Sequence, residues 1–279
     1  MKIAQELSRF FKSELSPFYE QKELDALFFW CVEHLFHMSR SQWMLSNQLI
    51  LSKEALNHFY SIVNRLKKQE PIQYILGQCE FYGLSFRVNP HCLIPRPETE
   101  ELVRWVLDHP FDSALDIGTG SGCIAIALAK HSNATISALD ISQEAIDLAK
   151  RNAQTNEVNV SFFQHDIFET FHSSPSYDLI VSNPPYVLHS EKERMKANVL
   201  NYEPHLALFV KDSNPLVFYQ RIIEFSNHHL SSKGLLFFEI NEQKAPDLVN
   251  LLEKEGFSSV LIKKDMQGKN RMVKAQKKL

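Results

Sequence analysis

Three of the chain's eight glycines fall within five residues, Gly118-Thr119-Gly120-Ser121-Gly122, directly after the apolar run 114–117. That cluster constrains the fold more than any other feature. A glycine-rich turn from strand to helix lets backbone approach a ligand closely and presents the free N–H groups of a helix start. The bland alternative is a tight turn and nothing more. Two sharper alternatives fail on spacing. A dinucleotide fingerprint, G-x-G-x-x-G, needs its third glycine at 123, where Cys123 stands, and a Walker loop needs a Gly-Lys-Ser/Thr that does not follow.

The chain around this loop alternates. Short apolar runs at 114–117, 135–139, 160–163, 179–181, 235–240, 260–263 and 271–275 read as strands. Helical spacing falls between them at 123–130, 143–152, 215–230 and 246–255. Such alternation predicts an α/β fold with a mostly parallel sheet covered on both faces, in which ligands bind beyond the carboxyl ends of the strands. Residues 1–70 are different. They contain no glycine and carry three helical sets: Leu7, Phe10, Phe11, Leu15; Leu24, Leu27, Phe28, Cys31, Leu35, Met38; and Leu56, Phe59, Ile62, Val63, Leu66, the last opened by Ser52. Residues 71–96, punctuated by Pro71, Gly77, Gly83, Pro90 and Pro95, read as a β-hairpin linker between two domains. The expected division is therefore 1–70, 71–96 and 97–279.

Composition narrows the class. At 44% apolar and 23% charged the chain has the makings of a packed core, and a net charge of −3 gives no global field for nucleic acid. Charges near the start interrupt any signal-peptide core, and no run approaches the ~18 apolar residues of a membrane helix. The four cysteines form no C-x-x-C pair and no zinc-ligand spacing. The expectation is a cytoplasmic protein with free thiols, no membrane partner and no metal.

Candidate site residues lie at the strand ends. Asp140 ends the second sheet strand, where a carboxylate either accepts from both hydroxyls of a ribose or caps the next helix. After the third strand, Asp166 and Phe168 could hold the edge and face of an adenine, a weak signal taken alone. The fourth strand runs into Asn183-Pro184-Pro185-Tyr186. Two prolines supply no N–H and fix φ, so this corner either merely terminates the strand or presents acceptors only, from the Asn183 side chain and the Pro184 carbonyl. Two acceptors outside the plane of an amide or aryl NH2 would grip both its hydrogens and aim its lone pair, and Tyr186 could stack on the flat group. Arg96 and Glu98 are either site-proximal or simply part of a helix start built on Pro97 and its acidic first turn.

The chain resembles the release-factor glutamine methyltransferases. The resemblance rests on Pro71-Ile72-Gln73-Tyr74-Ile75-Leu76-Gly77, Leu93-Ile94-Pro95-Arg96-Pro97-Glu98-Thr99-Glu100, the glycine loop, Asn-Pro-Pro-Tyr, and Tyr202-Glu203-Pro204 with Ala207-Leu208. It covers nearly the whole chain and is weakest in the first 70 residues. It implies a class I, Rossmann-like methyltransferase domain with a seven-stranded sheet, a helical domain that docks the protein substrate, and S-adenosylmethionine as cofactor, leaving S-adenosylhomocysteine. The implied substrate is the glutamine of Gly-Gly-Gln in peptide chain release factors 1 and 2, methylated at N5; no sequence feature suggests an obligate oligomer, and a monomer is the expectation. By matching position, Gly118, Thr119, Gly120, Ser121, Gly122, Asp140 and Phe168 would hold the cofactor, and Asn183, Pro184, Pro185 and Tyr186 the glutamine; Asp166 and Asn183 are further candidates for contact with the cofactor.

Two stretches depart from the family's pattern. Residues 209–216 lack the usual Asp-Gly-Leu turn, and Asn241 stands where Glu-Ile-Gly is usual. Two rival readings share the motifs: a nucleic-acid adenine-N6 methyltransferase, which would need a basic groove that this composition does not advertise, and a non-catalytic cofactor-binding module.

Overall fold

The computed structural model describes residues 2–45, 51–171 and 176–278. They form two compact units: residues up to Gly77 together with Lys196–Tyr202, and Gln78–Met195 together with Glu203 onward. Among the described residues no helix is long and apolar enough to cross a membrane.

The first unit is helical, with α1 (Lys2–Leu15), α2 (Gln21–Phe36), α3 (Arg40–Leu45), α4 (Lys53–Leu66) and α5 (Ile72–Leu76). Its apolar stripes meet in one core containing Phe11, Phe28, Trp43, Phe59 and Leu66. The rings meet mostly edge to face, as Phe28 does on Trp43 with centroids 5.6 Å apart, the arrangement that aromatic quadrupoles favour. Ser52 caps α4 as its sequence predicts, accepting from the Ala55 amide at 3.1 Å. Three details differ from the sequence reading. His37, in the left-handed region at φ 52°, ends α2 before Met38. Helix α3 lies outside the three helical sets. Pro71 and Gly77, taken as turn punctuation, are instead the start and stop of α5.

In the second unit, β1 (Gln78–Phe81) and β2 (Leu84–Arg87) form the expected hairpin. It is part of this unit: Phe81 and Phe86 pack with Leu102, Val103 and Val106 of α6 (Pro97–Leu107). The sheet is built from β3 (Ser113–Ile117), β4 (Thr135–Asp140), β5 (Ser161–Gln164), β6 (Tyr177–Ser182), β9 (Leu230–Glu239), β10 (Phe257–Lys264) and β11 (Asn270–Lys277). Between β6 and β9 the chain also forms a short parallel pair, β7 (Val187–Leu188) with β8 (Phe209–Val210). The helices are α7 (Cys123–His131), α8 (Gln143–Thr155), α10 (Val217–His229) and α11 (Ala245–Lys254), with α9 (Ala197–Tyr202) counted in the first unit.

Seven strands lie in the order β10-β11-β9-β6-β3-β4-β5. Only β11 opposes its neighbours; the other pairs run parallel. Both faces are covered, so the central strands carry consecutive buried apolar residues, such as Leu179-Ile180-Val181 and Leu236-Phe237-Phe238, rather than alternate ones. Ile180 of β6 and Phe238 of β9 face α10 and α11, whereas Leu179, Val181 and Phe237 face α6 and α7. The register positions the site. Ile117 sits opposite Leu139 on one side and Ser182 on the other, so these three residues lie level near the ends of β3, β4 and β6. The residues that follow, Gly118, Asp140 and Asn183, therefore emerge together at one edge of the sheet.

Candidate active site

The glycine loop is held from below by Asp116, a charge in an otherwise apolar strand. Its Oδ2 accepts from the Thr119 hydroxyl at 2.6 Å and from the Ala125 amide at 3.2 Å. Burial pushes this carboxyl up to about 7, against those two donors. Asn152, fully buried on α8, donates to the Ser121 carbonyl at 2.9 Å and also exchanges hydrogen bonds with the Arg87 backbone, which ties the loop to the hairpin. Asp140 uses one oxygen for the Gly120 amide (2.8 Å) and the other for the Ser142 amide (2.9 Å). Burial raises its pKa, and those amide donors oppose the rise.

A cavity of about 370 Å³ opens above these strand ends. Its wall takes in Gly118, Thr119, Gly120, Ser121 and Asp140 on one side, Asp166 and Phe168 on another, and Asn183, Pro184 and Pro185 on a third. Arg96 also reaches it. Phe168 is a half-exposed aromatic whose amide donates to Asp166 Oδ1 at 2.9 Å and whose ring meets Phe218 edge-on. Three buried side-chain polar atoms have no hydrogen-bond partner among the described residues, Asp116 Oδ1 beneath the loop and Ser121 Oγ and His165 Nε2 in the cavity wall. Orphaned buried polar atoms are costly in a native fold and fit a site that a polar ligand completes.

Three of the residues singled out by sequence are not on that wall. Gly122 serves packing: a Cβ there would lie 2.9 Å from Ile126 Cδ1 and 3.0 Å from Ala149 Cβ. Glu98 faces the Gln267 side chain instead. Tyr186 packs against the sheet core and donates its hydroxyl to Glu239 Oε1 at 3.0 Å, so its ring is not presented to the cavity for stacking. Arg96 forms a 2.5 Å ion pair with the buried Glu203, whose other oxygen takes the Ile94 amide at 3.2 Å.

Asn183 occupies the central position. Its Nδ2 donates to Thr99 Oγ1 at 3.3 Å, while Oδ1 accepts nothing among the described residues. Thr99 in turn donates to Glu239 Oε2 at 2.6 Å. Sequence reading missed Asp116, Asn152, Thr99 and Glu239. The signal for two of them was present, since Asp116 and Glu239 are the single charges, each next to last, in the apolar runs 114–117 and 235–240.

The two departures from the family's pattern are both anchored. Asn241 donates to the Tyr186 carbonyl at 3.2 Å and to Glu191 at 3.1 Å. In the 209–216 stretch, Asp212 accepts from the Ser190 hydroxyl and amide.

Comparison with known proteins agrees with this architecture. Residues 6–77 match the PrmC N-terminal domain and residues 98–203 the methyltransferase small domain. A release factor glutamine methyltransferase of Flavobacterium psychrophilum is 44% identical over 272 residues, covering 95% of each chain. One from Bacteroides thetaiotaomicron is 41% identical, covering 97% of this chain and 99% of its own. Among solved structures, a methyltransferase from Pyrococcus furiosus superposes with a TM-score of 0.55 at 19% identity, over 82% of this chain and all of the other, which shows the shared class I methyltransferase fold. On this evidence the chain belongs to the release factor glutamine methyltransferase family.

Proposed function

We propose that this enzyme transfers a methyl group from S-adenosylmethionine to the side-chain nitrogen N5 of the glutamine in the Gly-Gly-Gln motif of peptide chain release factors 1 and 2. It acts as a cytoplasmic monomer, with the helical residues 1–70 docking the protein substrate, 71–96 as linker and 97–279 carrying the chemistry. One observation carries the reading. Asn183, with its amide nitrogen committed to Thr99 and its oxygen uncommitted among the described residues, shares a cavity wall with the glycine loop and Asp140.

S-adenosylmethionine, when bound, supplies a methyl group already activated on a sulfonium. Gly118, Thr119, Gly120 and Ser121, with Asp140, Asp166 and Phe168, are the residues that would hold it. A carboxamide nitrogen is a poor nucleophile because its lone pair is delocalised. Asn183 Oδ1 and the Pro184 carbonyl grip its two hydrogens, resist planarity and stabilise the positive charge that grows on nitrogen in the transition state. Fixing the nitrogen in that pose supplies much of the rate, because it replaces an orientational search.

The test is mass spectrometry of a release factor incubated with the enzyme and S-adenosylmethionine, looking for one added methyl on the glutamine of Gly-Gly-Gln. Asn183→Ala should lower turnover about 10²–10³-fold, the cost of one preorganised transition-state partner, with little change in cofactor affinity. Label entering DNA but not the release factor, or wild-type turnover by Asn183→Ala, would overturn the reading.

A further inference from the structure

We propose that Thr99 and Glu239 are positioning residues that decide which atom of the Asn183 amide faces the substrate, with the Glu239 carboxylate anchoring both ends of Asn-Pro-Pro-Tyr. The proposal rests on the reading of Asn183 as an acceptor for the substrate amide.

The oxygen and nitrogen of an asparagine amide have nearly the same shape and opposite polarity. Rotated by half a turn, Asn183 would meet the substrate NH2 with donors and repel it. The two prolines that follow stiffen the backbone and leave that rotation unrestrained. The neighbouring hydrogen bonds restrain it. Thr99, in the first turn of α6, has one hydroxyl hydrogen. Its Oγ1 lies 2.6 Å from Glu239 Oε2 at the end of β9. That single hydrogen is given to Glu239, so Thr99 turns a lone pair toward Asn183. Asn183 answers with Nδ2 at 3.3 Å, and Oδ1 is left as acceptor.

The other oxygen of the same carboxylate, Oε1, takes the Tyr186 hydroxyl at 3.0 Å. One buried group thus holds the first residue of the tetrapeptide through Thr99 and the last residue directly. Burial raises this carboxyl's pKa above its ordinary value, and the two hydroxyl donors and nearby Arg271 oppose the rise. Neither Thr99 nor Glu239 needs to touch the substrate for this role.

The experiment is a double-mutant cycle on the full chain, with release factor as substrate and radiolabelled S-adenosylmethionine in single turnover. Thr99→Val keeps the shape and removes the hydroxyl. It should lower the rate about tenfold, the scale of one mis-set hydrogen bond. Cofactor affinity by calorimetry should stay within about twofold, and Thr99→Ser should restore most of the rate. The decisive readout is the same substitution made in Asn183→Ala, where it should cost nothing further, because residues acting through one group are not additive. An equal loss in both backgrounds, or a wild-type rate for Thr99→Val, would overturn the proposal. If Thr99→Val does not fold, Glu239→Gln carries the test. Its amide can face Thr99 either way, so the rate should fall at least about threefold in wild type and not at all in Asn183→Ala; an unchanged rate overturns the proposal. A wild-type rate for Asn183→Ala alone would instead sink the underlying site reading.

Discussion

Gly122→Ala should be the most damaging alanine substitution in the glycine loop, although Gly122 lies off the cavity wall. Gly118 and Gly122 both have positive φ, +76° and +83°. An alanine at either pays the left-handed backbone cost of about 1–2 kcal/mol. At Gly118 nothing lies within 4 Å of the added methyl, so that cost is the whole effect on stability. At Gly122 the methyl lies 2.9 Å from Ile126 Cδ1, 3.0 Å from Ala149 Cβ and 3.3 Å from Ala149 Cα. The isoleucine tip can turn away. Ala149 cannot, because its Cβ is fixed to the backbone of α8, so α7 and α8 must separate. Overpacking of this kind costs about 1–3 kcal/mol, giving about 2–5 kcal/mol in all. For a unit of this size about 2–4 °C is lost per kcal/mol, so Gly122→Ala should melt about 4–20 °C below wild type and Gly118→Ala about 2–8 °C below. Thermal unfolding of the cofactor-free proteins, with urea melts to confirm an unchanged m-value, measures both. If the two variants melt together, the third glycine is not there for helix packing and the reasoning fails.

Other outcomes follow from the same geometry. Asp140→Ala removes the carboxylate assigned to the ribose and, with it, the acceptor for the Gly120 and Ser142 amides. Cofactor affinity by calorimetry should fall about 10–100-fold, as for one charge-assisted hydrogen bond, and unchanged affinity would refute the assignment. Asp116 should make stability pH-dependent. Burial raises its carboxyl from 3.8 to about 7, with Asp140 adding to the rise. A raised carboxyl pKa stabilises the fold fully below the unfolded value, and that contribution is lost as pH climbs through the folded value. Urea melts between about pH 5 and 8 should show wild type losing ground to Asp116→Asn as pH rises, and a constant difference would refute the shift.

The parts of this molecule that are local in sequence were legible there. A strand of four or five apolar residues, a glycine cluster and an amphipathic helix are each written in one short stretch, and their alternation dictated parallel pairing. The alignment of Ile117, Leu139 and Ser182 follows from that pairing, which is why Gly118, Asp140 and Asn183 lie along one edge of the sheet. What escaped was ambiguous or long-range. Pro71 and Gly77 punctuate turns and also begin and end helices, and a helix of five residues is too short for periodicity to arbitrate. Tyr186 was expected to present its ring to the substrate, because a tyrosine beside a planar site usually stacks. Its hydroxyl instead answers Glu239, a residue 53 positions away. Thr99 and Glu239 are separated by 140 positions, so only the folded chain makes their hydrogen bond visible.

That division bears on the positions where this chain departs from its family. A glycine is required only where φ is positive or space is absent, and Asn241 has φ −69°, so a side chain is tolerated there. The side chain is also used. Its Nδ2 reaches the Tyr186 carbonyl and Glu191, and the Glu191 carboxylate in turn accepts from the Leu188 amide. The 209–216 stretch works on the same segment, with Phe209 and Val210 paired to Val187 and Leu188, and Asp212 on Ser190. Both departures therefore brace the last residue of Asn-Pro-Pro-Tyr and the stretch just after it, from Tyr186 to Glu191. On the proposed role of Asn183, substitutions at these positions would change how firmly the end of the corner is backed and leave the Thr99–Glu239 hydrogen bonds in place, so they should alter KM for release factor more than single-turnover rate.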